Sequence, residues 1–75
     1  GQLEDAYDYY VEASKINNNM YSTPKYLYKA AMIGSELGKN SQALSFLKRI
    51  EKEFSEAQEA RLVEVQIAKI ETLMQ

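Results

Sequence analysis

The amino-acid sequence predicts an all-α chain, an array of four helices in which each runs antiparallel to the next. Three observations carry that expectation. Apolar side chains recur at spacings of three and four through four separate segments, the period of a helix with one buried face. Those segments are divided by Asn17-Asn18-Asn19, by Gly38 and by Ser55, residue types that halt or restart helices. The pattern also repeats within the chain at an offset of 37 residues, which carries Ala6 to Ala43, Tyr10 to Leu47 and Ala13 to Ile50. A period of about 20–50 residues marks stacked helical arrays.

The first helix is expected over about Leu3 to Asn17, with Leu3, Ala6, Tyr10 and Ala13 on its inner face. The three asparagines end it, because asparagine competes for backbone hydrogen bonds and tolerates left-handed conformations. Ser22-Thr23-Pro24 opens the second helix, with Thr23 as its N-cap and Pro24 at the first helical position, where a missing N–H costs nothing. Leu27, Ala30, Ala31, Gly34 and Leu37 share one face of it, and Gly38 is the left-handed stop. A glycine inside a helix costs about 1 kcal/mol relative to alanine. Close packing between paired helices is the expected reason for Gly34.

The third helix is expected from about Ser41 to Glu53, burying Ala43, Leu47, Ile50 and the following Phe54. Ser55-x-x-Gln58 has the form of a capping box. It would open a fourth helix running close to Met74, with Ala60, Val63, Ile67, Ile70 and Met74 as its apolar stripe. Short connections between such helices favour antiparallel neighbours.

Composition narrows the function. A chain of 75 residues makes one small domain with a modest core. Nine basic against eleven acidic residues, with no basic run, argue against general affinity for nucleic acid. The sequence holds no cysteine and no histidine, which removes soft-ligand zinc sites, thiolate nucleophiles and imidazole bases. Glu4, Asp8 and Glu12, with Asp5 beside them, form one acidic helix face, but nothing supplies the burial that paired carboxylates need for acid–base work. No catalytic residue, metal ligand or cofactor site is assigned.

Residues 24–55 resemble one tetratricopeptide repeat. Its pattern falls here on Leu27, Ala30, Ala31 and Gly34, then Ala43, Leu47 and Ser55; Ala43 is the consensus residue itself, Leu47 keeps the apolar character, and Ser55 stands where the repeat closes on proline. The resemblance implies that residues 1–20 are the second half of an earlier repeat, 21–55 a complete repeat and 56–75 a capping helix. It also implies a chain that continues upstream of Gly1. Ala6, Tyr10, Ala13, Leu27, Ala30, Ala31, Gly34, Ala43, Leu47 and Ile50 would then be the repeat-packing positions. The Thr-Pro start, Lys29-Ala30, the Leu37-Gly38 turn and Ile67-Ala68-Lys69 are similar to the C-terminal end of membrane-anchored tetratricopeptide proteins of Bacteroidetes-type bacteria. That likeness implies a scaffold on the periplasmic side of the inner membrane, attending protein export or assembly of an envelope complex. Any membrane attachment would come from an anchor outside these residues.

In arrays of this kind the concave groove is lined by the first helix of each repeat. The resemblance therefore places ligand-facing positions at Lys25, Tyr28, Met32, Ser35 and Glu36, where a protein or peptide would bind. A solvated helix face is the simpler account of the same residues. All six tyrosines lie in the first 28 residues. Of these, Tyr7, Tyr9 and Tyr26 are expected to face either an upstream helix or a partner protein. The alternative functions are a structural cap with no ligand of its own and, more remotely, a regulatory appendage of an enzyme.

Overall fold

A computed structural model describes residues 1–16 and 18–75, and the asparagine stop assigned to position 17 lies outside them. Four α-helices run through the described residues: α1 (Gln2–Ile16), α2 (Ser22–Glu36), α3 (Asn40–Glu53) and α4 (Ala60–Leu73). Consecutive helices pack on one another, α1 on α2, α2 on α3 and α3 on α4. The result is an all-α array of helix–turn–helix units. Its Cα atoms fill a slab of 32 × 27 × 14 Å.

The α1–α2 connection differs from expectation. Thr23 lies inside α2, fully buried, and the cap comes from Asn19. The Asn19 Oδ1 accepts from the N–H groups of Tyr21 (2.9 Å) and Ser22 (2.7 Å), while the Asn19 N–H donates to the Thr23 Oγ1 at 2.9 Å. This reciprocal arrangement satisfies donors that the first turn of a helix leaves unpaired. Pro24 sits in that same turn, buried, where its missing N–H still does no harm.

Gly38 stops α2 as the sequence indicated, with φ at 81°. The Lys39 N–H donates to the Gly34 carbonyl at 2.8 Å and the Gly38 N–H to the Ser35 carbonyl at 3.1 Å, the paired bonds of a Schellman motif. α3 follows at once. Its residues Ala43, Leu47 and Ile50 are fully buried against Leu27 and Ala31 of α2 on one side and Val63 and Ile70 of α4 on the other. Burying each of the larger aliphatic side chains contributes about 1.5–3 kcal/mol. Phe54 closes the cluster just beyond α3.

The capping box assigned to Ser55 does not form. Phe54 leaves the helical region at φ −131° and ψ 43°, and the chain then passes through tight turns. The N–H groups of Ala57, Ala60, Arg61 and Leu62 each donate to the carbonyl three residues earlier. α4 therefore begins at Ala60. Of its expected stripe, Val63 and Ile70 are buried and Ala60 and Ile67 half-buried, whereas Met74 lies past the helix end, 48 % exposed. At the opposite end of the array Leu3 is 46 % exposed.

Candidate functional site

Helix geometry puts residues 25, 28, 29 and 32 on one side of α2. Tyr28 and Met32 are half-buried and rest against the apolar core, and Lys25 and Lys29 project beyond them. With Ile33 they form one wall of an open groove of about 480 Å³. Tyr10 of α1 and Glu59 of the α3–α4 connection complete it. A second depression, about 600 Å³, adjoins the first through Lys25 and Glu59, which line both. Its remaining walls are Met20 and Tyr21 from the α1–α2 connection and Glu56, Ala57 and Gln58 from the α3–α4 connection. Through their two shared residues the depressions form one trough.

The trough is semi-apolar, with charge of both signs on its rim. Tyr28 and Met32 offer an adaptable floor. Lys29 is held over the Tyr10 ring, its Nζ 5.6 Å from the centroid. Lys25 and Glu59 make no ion pair with any described residue and remain available to a ligand. No group of three or more acidic side chains among the described residues is placed to hold a metal ion.

Of the five groove residues expected from the sequence, three converge: Lys25, Tyr28 and Met32. Ser35 and Glu36 continue the same helix side but lie beyond the trough, Ser35 half-buried and Glu36 exposed at the end of α2. Tyr10, Lys29, Ile33 and Glu59 join the site without having been singled out for it. Lys29 and Ile33 were legible as i+4 neighbours of Lys25 and Lys29. Glu59 was not, because the turns that bring it there are not coded by a recognisable local motif.

The tyrosines expected on an outer face divide. Tyr9 is 63 % exposed and meets Tyr10 edge-on, with ring centroids 5.2 Å apart. Tyr26 is half-buried and stacks on Tyr10 at 6.2 Å. Tyr7 turns inward, lying 6.3 Å from the Phe46 ring of α3 with the Lys39 Nζ 5.6 Å from its own centroid. Partial burial, and secondarily the neighbouring Asp8 carboxylate, push the Tyr7 hydroxyl above the usual tyrosine range.

Tyr7 also explains Gly34. A Cβ on Gly34 would stand 3.0 Å from the Tyr7 Cε1. The close approach is thus between α2 and α1, not between α2 and α3 as the repeat pattern led us to expect. The other repeat-packing positions lie inward: Ala13, Leu27, Ala30, Ala31, Ala43, Leu47 and Ile50 are buried, and Ala6 and Tyr10 half-buried.

No family model matches the chain, and searches of curated proteins and of solved structures found no match either. No helix is long and apolar enough to cross a membrane among the described residues.

Proposed function

We propose that this chain is a non-enzymatic, protein-binding helical-repeat module that takes a polypeptide segment into the trough beside α2. The observation that carries this reading is the convergence of Lys25, Tyr28 and Met32 with Tyr10, Lys29 and Glu59 around one open depression. A half-buried tyrosine–methionine floor with Lys25 and Glu59 on its rim suits a side chain with an apolar body and polar neighbours. The same chemistry is poorly suited to catalysis, which needs a nucleophile or base set against an orienting partner. The likeness to tetratricopeptide proteins extends the proposal to a scaffold of the bacterial cell envelope, with its repeats on the periplasmic side.

Selection of peptides from a random displayed library on the immobilised domain tests the binding role. Selected peptides should shift the amide resonances of residues 25–33 and Glu59, and the charge reversal Lys25→Glu, at an exposed rim position with no ion pair to a described residue, should weaken their binding while leaving the fold intact. Failure to select any peptide, or selection of peptides that map elsewhere, would favour the structural-cap alternative. Fractionation of source cells with an antibody to this chain tests the envelope assignment separately.

A further inference from the structure

The two terminal helices of the array each carry an exposed stripe that no other described residue covers. On α1, Asp5, Tyr9, Glu12 and Ile16 follow at spacings of four, three and four, so they share one helix side. All four are exposed, Tyr9 at 63 % and Ile16 at 75 %. On α4, Leu62, Val65, Lys69 and Leu73 follow at spacings of three, four and four, and Arg61 adjoins Val65. These too are exposed, Leu62 at 51 %, Val65 at 57 % and Leu73 at 67 %.

The charges on the two stripes are opposite. Asp5, Asp8 and Glu12 stand together on α1, an arrangement of like charges that mildly disfavours the helix in isolation. Lys69 lies among the apolar residues of α4 and Arg61 along one edge of them, with Glu64 and Glu71 on the helix side beyond Arg61. Asp5, Asp8, Arg61 and Lys69 make no ion pair with any described residue, and Glu12 makes only an exposed contact of 3.5 Å with Lys15. The α1 stripe thus sets carboxylates beside Tyr9 and Ile16, and the α4 stripe sets Arg61 and Lys69 beside Leu62, Val65 and Leu73.

We propose that α4 of one copy of this chain docks on α1 of a second copy, head to tail, continuing the α1–α2–α3–α4 packing order from one molecule into the next. Such an interface joins two different surfaces, so each copy retains one free end and association can continue beyond a dimer. The proposal does not rest on the function proposed for the trough beside α2.

Sedimentation equilibrium across rising concentration, up to millimolar, tests this with two variants at exposed positions. Val65→Glu puts an acid on the α4 stripe, and Tyr9→Lys puts a base on the α1 stripe. The weight-average mass of the unmodified chain should at least double over the range, and each variant alone should stay monomeric with an unchanged circular-dichroism melt. Mixed in equal amounts, the variants should form a dimer and nothing larger, because one intact stripe of each kind remains. A monomeric unmodified chain would overturn the proposal, as would continued self-association of Tyr9→Lys, which would indicate a symmetric α4 contact. Failure of the mixture to dimerise would overturn it equally.

Discussion

A methyl group at Gly34 would have to share space with the Tyr7 ring, 3.0 Å from Cε1 and 3.5 Å from Cδ1. That ring has little room to retreat, since Phe46 and Lys39 lie against it. Two effects therefore oppose each other at this position: alanine favours the helix by about 1 kcal/mol, and crowding of Tyr7 resists it. Gly34→Leu should destabilise the domain by about 1–3 kcal/mol through overpacking. In a Tyr7→Ala background, Gly34→Ala should become stabilising by about 1 kcal/mol, the propensity difference alone. Urea denaturation of the four members of that cycle would measure the coupling, and an effect of Gly34→Ala equal in both backgrounds would refute the contact. Tyr7 also carries a pH dependence. Its hydroxyl ionises less readily in the folded chain than in the unfolded one, so the contribution is intact below pH of about 10 and is lost as pH rises through the higher folded value. Tyr7→Phe keeps the ring and should flatten the alkaline decline of the melting temperature.

At the scale of the element, the connections decide where helices begin. Asn19 binds the N–H groups of Tyr21 and Ser22, so Asn19→Ala should cost about 1 kcal/mol. Ser55 accepts no capping bond, and Ser55→Ala should change stability by less than about 0.5 kcal/mol. Thermal melts of the two variants give the comparison, and equal losses would contradict the assigned caps. These two positions also mark what could be read in advance. Four helices, the Gly38 stop and the buried Ala43–Leu47–Ile50 stripe followed from periodicity and from one residue with a positive φ. The true cap was harder, because Asn19 and Thr23 are both good capping residues and only the path of the chain lets the Asn19 side chain reach two donors. The Ser55 motif misled because the chain turns before the helix: the Ala57 N–H donates to the Phe54 carbonyl, and α4 begins only at Ala60. Lys25, Tyr28 and Met32 were expected from the resemblance to a tetratricopeptide repeat, whereas Tyr10 and Glu59 reach the trough only through tertiary packing.

For the molecule as a whole, the order of contacts sets the order of protection. α2 and α3 each have a helix packed on both sides, while α1 packs mainly on α2 and α4 mainly on α3. Local opening should therefore begin at the ends of the array, as in stacked repeats whose units contact only their neighbours. Native-state hydrogen exchange should show the slowest amides in α2 and α3, around Leu27, Ala31, Leu47 and Ile50, and faster exchange in α1 and α4. Uniform protection across all four helices would mean a single closed core instead.

The ion pairs have a bearing on this that packing alone does not. Among the described residues all three join positions three or four apart within a single helix or its first turn: Gly1 with Glu4, Lys15 with Glu12 and Arg49 with Glu53. None ties one helix to another, so the order in which the helices lie side by side is written in volume rather than in charge. Ionic strength should then pass through the interior almost unnoticed and act only where charge faces outward. Dissolved salt becomes a selective reagent for this molecule, one that would loosen the proposed α4-to-α1 contact while leaving the domain itself assembled.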